Sequence, residues 1–347
     1  MGKMGFFRRI RDSKEDLPRD IRRDLLPRFK ALKVGKITPI QCQRLVDDLK
    51  DKGLALATIT KTKNVLNSIM EYCYKMEIIE RNPVDRIIMP KIKNNQNNIH
   101  FFTEEQSIRF LSSLDNPTFY QIPEHSRIVK GNAYTVQEYN VVKNASFQWK
   151  VYFSLAIMGG FRRGEMLALT WRDIDAENGF ISVNKAVADT ETGQVIKEPK
   201  THAGNRLVAM PSVVFPMLEK WKKEMIEIRD SLGSSWKGQP KENFDNQYIF
   251  IQYTGEMMNL HTPTHKFKEA IQAYNKTASE DMKLPSIRLH DLRHTYGSIL
   301  GASGVNPNTI SAQMGHATVN ITLNRYCHAL PSQNAIVAHT LENVFQQ

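Results

Sequence analysis

The sequence has few cysteines and no long apolar run. Its three cysteines, Cys42, Cys73 and Cys327, stand at wide and unrelated spacings in a chain of 347 residues. They provide neither a disulfide framework nor the paired spacing of a zinc site. No window approaches the about 18 uninterrupted apolar residues of a membrane span, and the basic N-terminus lacks the apolar segment of a signal peptide. We therefore expect a cytoplasmic protein in a reducing compartment.

Recognisable cofactor sites are also missing. Neither of the two glycine-rich nucleotide-binding patterns, G-x-x-x-x-G-K-S/T or G-x-G-x-x-G, occurs in the chain. No dense group of carboxylates and no His/Cys ligand spacing supports a catalytic metal. The sequence therefore predicts a protein that works with no cofactor, neither a metal nor ATP.

Acidic side chains are scarce in the first hundred residues. Residues 1–100 hold 22 Lys and Arg against 12 Asp and Glu, whereas residues 101–347 hold 25 against 24. A positive field over one domain suits a polyanion, because neutralised phosphates release their condensed counterions. A basic domain that is merely soluble gives the same balance, and charge alone does not separate DNA from RNA.

The first part of the chain, 1–90, is predicted to be a helical domain. Thr38, followed by proline, predicts a helix start. The apolar residues between Val65 and Met76 recur every three or four positions, which indicates one buried helix face. The polar stretch Lys91–Asn98 has no periodicity, and we place an interdomain linker at 91–101.

The second domain, 102–347, is predicted to be mainly helical with a small antiparallel sheet, so the fold class is α+β. A capping box at Thr103 opens it. Prolines and glycine interrupt residues 116–146, which indicate short strands or a hairpin in an insert of unassigned role. The turn at 202–205 predicts a hairpin between its two flanking strands, and Tyr248–Ile251 predicts a further strand.

Basic side chains, histidines and a tyrosine concentrate in the last third of the chain. The segment 290–294 reads HDLRH, Gly315 and His316 follow it, and Tyr326 comes ten residues later. Far upstream, the segment 160–165 reads GFRRGE. Fixed arginines can hold the nonbridging oxygens of a phosphodiester, a general acid can protonate its leaving oxygen, and a tyrosine can form a temporary ester. This set favours DNA strand exchange without a metal.

These segments resemble the tyrosine recombinases of the phage and transposon integrase group. The likeness covers essentially the whole chain and implies a helical core-binding domain followed by a catalytic domain. Each single motif is weak, but five in order over about 165 residues are specific. The five are the arginine segment 160–165, the lysine with the basic strand after it at 199–206, the box 290–294, the pair Gly315-His316 and the nucleophile Tyr326.

The resemblance implies how the phosphate is held and attacked. Tyr326 would attack the scissile phosphate and become joined to the 3′ phosphate, leaving a free 5′ hydroxyl. Arg162 and Arg293 would hold the nonbridging oxygens, and His316 would add a hydrogen bond there. Because the ester conserves bond energy, strands could be rejoined to a new partner without ATP.

Proton transfer is assigned to two further residues by the same resemblance. Lys200 would protonate the leaving 5′ oxygen, although Lys197 lies three residues away and hairpin register is not readable from sequence. His290 would assist proton transfer at the tyrosine. Arg163 and Glu165 are expected to make structural contacts.

The resemblance also implies partners and assembly. Double-stranded DNA with recombination sites would be the substrate, bound by a homotetramer, with accessory DNA-bending or excision factors as further partners. The tail 334–347 has helical spacing, and we expect it to dock on a neighbouring protomer. Many integrases begin with an additional β-rich domain that binds arm sites. Helical sequence starts here within the first few dozen residues, so we expect either a simpler member of the group or a chain from which that domain has been removed.

Three activities stay open. An integrase of a phage or conjugative transposon is favoured over a chromosome-dimer resolvase, partly because of the insert at 116–146. A type IB topoisomerase uses similar chemistry but relaxes supercoils without paired sites. A noncatalytic DNA-binding regulator would read bases through the basic helical domain, yet it leaves the series of catalytic candidates unexplained.

Overall fold

The computed structural model forms two compact units, Met1–Asn98 and Ile99–Gln347. The described residues are 21–91, 100–115, 118–122, 124–129, 132–137, 139–143, 146–190, 193–198, 204–316 and 318–326. Within them, no helix combines the length and the apolar character needed to cross a bilayer.

The first unit is helical in its described part, as the sequence predicted. A π-helical turn at Ile21–Leu25 leads into three α-helices. Thr38 caps the second one by accepting a hydrogen bond from the Gln41 backbone N–H, and the predicted apolar stripe is buried at Leu66 and Met70. The three helices are α1 (Leu26–Phe29), α2 (Pro39–Asp51) and α3 (Leu56–Lys75).

Helices dominate the second unit. The predicted capping box at Thr103 is present at the start of its first helix. The helices are α4 (Glu104–Ser113), α5 (Phe147–Gly159), α6 (Arg163–Ala168), α7 (Val214–Leu232), α8 (Thr262–Thr277), α9 (Asp291–Ala302), α10 (Pro307–Met314) and α11 (Val319–Tyr326). Short 3-10 turns lie at Val34–Lys36, Pro83–Arg86, Trp171–Asp173, Gly233–Ser235, Lys241–Asn246 and Glu280–Met282.

The strands of the second unit are short and antiparallel, which confirms the α+β class. They are β1 (Thr118–Ile122), β2 (His125–Val129), β3 (Asn132–Val136), β4 (Tyr139–Lys143), β5 (Ile174–Asp175), β6 (Phe180–Val183), β7 (Ala186–Thr190), β8 (Gly193–Lys197) and β9 (Arg206–Ala209). The insert forms the predicted hairpin: β1 pairs with β4 and β2 with β3. Ile122 is paired with Tyr139 and His125 with Val136, so the two two-stranded sheets keep the same register.

Two strand predictions were wrong. The strands flanking 202–205 do not pair with each other, because β8 pairs with β7 and β9 joins β6 in the sheet β5-β6-β9. Burial decides this pairing, since Val208 of β9 lies opposite Ile181 of β6 and both are fully buried. Tyr248–Ile251 makes only isolated bridges at Tyr248 and Ile251 and forms no strand.

Helix α5 lies at the centre of the second unit and fixes the position of the site. Nine of its 13 residues are buried, so water reaches no complete face of it. Around it, four phenylalanine rings pack with centroids 5.3–6.2 Å apart, which anchors α4 and α8 to α5. These rings belong to Phe102, Phe110, Phe153 and Phe267. The C-terminal end of α5 is therefore a rigid platform.

Candidate active site

The end of α5 holds Arg293, the arginine of the 290–294 box. Gly160 takes a left-handed conformation with φ of 60°, and this ends the helix. A side chain at Gly160 would meet the Tyr296 ring, with a Cβ only 2.4 Å from its Cδ1 atom. The turn leaves the Gly160 carbonyl oxygen 2.6 Å from Nη1 of Arg293, which donates to it. Arg293 is 3% exposed, so its charge sits inside the protein.

Helix α10 ends in a turn that presents carbonyl groups. Gly315 is left-handed, its N–H donates to the carbonyl of Ala312, and the N–H of His316 donates to that of Ser311. The last carbonyls of a helix lack partners within it and carry the negative end of the helix dipole. A cation is therefore stabilised at this end, which lies directly before His316.

Three arginines meet three consecutive carbonyl oxygens at this turn. Arg206 donates through Nε to Gln313 at 2.7 Å, and Arg293 donates through Nη2 to Met314 at 2.5 Å. Arg162 donates through Nη2 to Gly315 at 2.6 Å. The predicted residues Arg162, Arg293 and His316 are thus brought together, although 131 residues separate the two arginines in sequence.

Glu165 holds Arg162 from the other side. The Arg162 backbone N–H and Nη1 donate to the Glu165 carboxylate at 2.8 and 2.6 Å, which fixes both ends of the arginine. Arg162 begins α6 as its N-cap residue rather than lying inside a helix. Its side chain is 41% exposed, whereas that of Glu165 is 7% exposed. Arg162 can therefore present its outer edge to a bound anion while Glu165 stays inside.

Arg206 is a site residue to which sequence reasoning gave no role. Its Nη2 lies 2.8 Å from the Glu165 carboxylate, and its Nη1 lies 3.2 Å from the same group. Burial alone raises the pKa of Glu165, but the hydrogen bonds and charge of Arg206, together with those of Arg162, hold that pKa below its ordinary value. The only sequence signal was a basic residue directly after the predicted turn at 202–205. Arg163, in contrast, donates to Thr264 at 3.0 Å, a structural contact.

His316 is oriented by the helix that carries the candidate nucleophile. Its Nδ1 lies 2.8 Å from Oγ1 of Thr322, a residue of α11 that is 1% exposed. Tyr326 is the last residue of α11, and this helix packs against α9 and α10. The side chain of Tyr326 lies outside the described residues, as does the tail 334–347.

His290 lies at the N-terminal end of α9, three residues before Arg293. It is exposed, and its ring meets the buried ring of His294 edge to face, with centroids 5.4 Å apart. Beside them, burial raises the pKa of Asp291, but hydrogen bonds from the Arg288 side chain and backbone outweigh it and hold that pKa below its usual range. The structure thus places His290 on the surface of the helix whose buried face carries Arg293.

The candidate Lys200 lies outside the described residues, but the hairpin before it is well anchored. The Gln194 side chain of β8 accepts from the Leu260 N–H at 2.9 Å and donates to the Met258 carbonyl at 3.4 Å. On β7, Asp189 lies 3.1 Å from Nε2 of His261. These contacts fasten β7 and β8 to the segment before α8. The alternative Lys197 ends β8 opposite Ala186.

The described geometry defines a class of site. Clustered guanidinium groups and a histidine, next to a helix that ends in a tyrosine, can bind and activate a phosphate group. A model of the phage integrase family matches residues 133–333, more than half of the chain. The chain belongs to the phage integrase family. It is a tyrosine recombinase, an enzyme of a family that acts on DNA.

Similar proteins come from mobile elements of bacteria. The ICEBs1 integrase of Bacillus subtilis (strain 168) is 26% identical over 313 residues, which are 90% of this chain and 72% of the relative. The transposase from transposon Tn916 of Enterococcus faecalis is 26% identical over 307 residues, 85% of this chain and 64% of the relative. The Tn1549 transposon integrase in complex with transposon right end DNA shares the fold, with a TM-score of 0.70 at 21% identity and 98% of each chain covered.

Proposed function

We propose that this tyrosine recombinase inserts and excises a bacterial mobile element by cutting and rejoining DNA at specific sites. The observation that carries the proposal is the convergence of Arg162, Arg293 and His316 on one helix end. Relatives in bacteria are integrases and transposases of such elements, which supports the same class of substrate for this chain. Double-stranded DNA in the bacterial cytoplasm is the proposed partner, and the related integrase solved with transposon DNA supports it.

In the proposed reaction the Tyr326 hydroxyl attacks the scissile phosphorus and its proton passes to a base, with His290 assisting. The bond from phosphorus to the 5′ oxygen breaks, and Lys200 gives that oxygen a proton. Arg162 and Arg293 stabilise the charge that develops on the nonbridging oxygens, and His316 donates a hydrogen bond. Attack by a 5′ hydroxyl of the partner strand reverses the steps, so no bond energy is lost.

The proposed assembly is a tetramer on two paired DNA sites, with residues 334–347 of one protomer docked on its neighbour. This arrangement would couple synapsis to cleavage. Accessory DNA-bending or excision factors would set the direction of the reaction. Deletion of 334–347 is expected to abolish recombination while DNA binding persists, as electrophoretic mobility shifts and a two-site recombination assay would measure. Unchanged recombination would refute the docking.

The test uses suicide duplexes that cover the DNA flanking the gene for this chain. Each duplex carries a nick, so that the short 5′-hydroxyl strand diffuses away after cleavage and the protein stays attached to DNA. A 3′ adduct is expected on one duplex, with peptide mapping to Tyr326, and Tyr326→Phe should abolish it. An adduct that persists in Tyr326→Phe would end the assignment. Relaxation of a plasmid without paired sites would instead favour topoisomerase activity.

A further inference from the structure

Arg206 differs from Arg162, the exposed arginine of the site, in its burial and in what its nitrogens contact. Its Nε donates to the Gln313 carbonyl, and its Nη1 and Nη2 both reach the Glu165 carboxylate. Nη1 also lies 3.5 Å from the Gly204 carbonyl. All three nitrogens therefore contact protein atoms. The side chain is 6% exposed, against 41% for Arg162, so it is Arg162 that faces solvent.

The contacts of Arg206 join two elements that are remote in sequence. Glu165 lies in the first turn of α6 and holds Arg162, whereas Gln313 lies in the last turn of α10 and precedes His316. A second contact strengthens the same junction, because the Gln313 side chain accepts from the Ala209 N–H at 3.0 Å. Strand β9 thus spans the gap between the arginine segment and the histidine turn.

We infer that Arg206 is a positioning residue that holds Arg162 and His316 in register for the scissile phosphate. This inference rests on the proposed function. Arg206 itself does not touch the DNA: it fixes the Glu165 carboxylate, which fixes Arg162, and it fixes the carbonyl end of α10, which fixes the His316 turn. Its planar fork suits this task, since it donates in two directions at once, and a lysine ammonium would not span both acceptors in the same geometry.

Loss of Arg206 should slow cleavage in a way that depends on the charge of the phosphate. Arg162 stabilises negative charge on the nonbridging oxygens, so a misplaced Arg162 matters most when that charge is present. Replacement of one nonbridging oxygen by methyl gives a neutral methylphosphonate, which needs less cationic stabilisation. A variant that is merely less folded would lose the same factor on both substrates.

The experiment compares adduct formation by the full chain on matched phosphate and methylphosphonate suicide duplexes. Arg206→Ala should lower the single-turnover rate on phosphate by about 10- to 100-fold, up to the loss that a misplacement of catalytic groups by about 1 Å can cause. The loss on methylphosphonate should be at least fivefold smaller. Arg206→Lys should fall between wild type and Arg206→Ala. The matched control is Arg229→Ala, since Arg229 is 12% exposed, pairs with Asp230 and lies outside the site.

Folding is monitored in parallel, because Arg206→Ala leaves a buried carboxylate with one partner fewer. If that variant does not fold, the paired variant Glu165→Gln with Arg206→Met removes both charges and is measured against Glu165→Gln alone. Equal losses of rate on the two substrates, or a change in rate below twofold, would overturn the inference about Arg206. The proposed function would stand in that case, provided that the wild type still forms adducts at Tyr326. Absence of any wild-type adduct would instead refute the proposed function.

Discussion

Replacement of Glu165 by glutamine tests the buried ion pair that supports the site. The Glu165 carboxylate accepts from the Arg162 backbone and side chain and from two nitrogens of Arg206, at 2.6 to 3.2 Å. The glutamine amide keeps the shape of the carboxylate but loses its charge. Its NH2 group cannot accept a hydrogen bond from the arginine N–H groups that it would face. Breaking one partner of a buried pair costs about 3–5 kcal/mol. We expect about 3 kcal/mol, because the Gln313 carbonyl still binds Arg206.

Urea unfolding followed by tryptophan fluorescence measures this loss of stability. The signal reports on the structural unit that contains Glu165, since all four tryptophans lie in residues 99–347. The pKa of Glu165 is lower in the folded state than in the unfolded state, where it is about 4.3. The stabilisation is therefore complete above that pH and is lost as the pH falls towards the folded-state pKa. The difference between wild type and Glu165→Gln should be constant from pH 7 to about pH 5 and should shrink below about pH 4.3.

An exposed pair provides the control for this experiment. Arg229 and Asp230 lie 2.7 Å apart, but Asp230 is 63% exposed. Asp230→Asn should change the free energy of unfolding by no more than about 1 kcal/mol. The reasoning would be refuted if Glu165→Gln cost less than about 1 kcal/mol at pH 7. A cost that stayed the same at pH 3.5 would refute it equally.

Three further substitutions probe the supports of the site. Gly160→Ala should cost about 2 kcal/mol or more in urea unfolding, because φ is 60° and the new Cβ would clash with Tyr296; a loss below about 0.5 kcal/mol would contradict this. Thr322→Val should slow adduct formation about tenfold without unfolding the protein, because His316 loses its Nδ1 contact, and an unchanged rate would exclude that role. Gln194→Met loosens the hairpin that precedes Lys200, the proposed proton donor to the leaving 5′ oxygen. It should slow cleavage of normal DNA more than cleavage of DNA with sulfur in place of that oxygen, since a thiolate leaves without a proton. Equal slowing on the two DNA substrates would show that the hairpin has no part in protonating the leaving group.

Local signals in the sequence predicted the helices well. Thr38 and Thr103 each cap a helix by a hydrogen bond to the residue three positions later, and both caps are present as predicted. Strand pairing was predicted less well because it depends on distant burial. The turn before Arg206 suggested pairing with the preceding strand, yet Val208 instead covers Ile181, 27 residues earlier. Ile249, Phe250 and Ile251 are apolar and buried, and burial alone does not make a strand.

The candidate site was predictable only as a set of residue types. The resemblance selected Arg162, Arg293 and His316, and the structure brings these three together. The role of Arg206 was not readable, because its partners Glu165 and Gln313 lie 41 and 107 residues away and Gln313 forms part of no motif. The roles of Lys200 and Tyr326 stay predictions, since their side chains lie outside the described residues.

The helix end at 313–315 solves an electrostatic problem of the proposed site. Three guanidinium groups near one another repel, and the Glu165 carboxylate pairs with two of them, Arg162 and Arg206. The carbonyl end of α10 adds negative potential at all three guanidinium groups without adding a full charge. A phosphodiester carries one negative charge, and the phosphorane-like state during attack carries about two. Guanidinium groups fixed by carbonyl dipoles are in place before that charge develops, and stabilisation that grows during attack is the condition for catalysis rather than for tight binding.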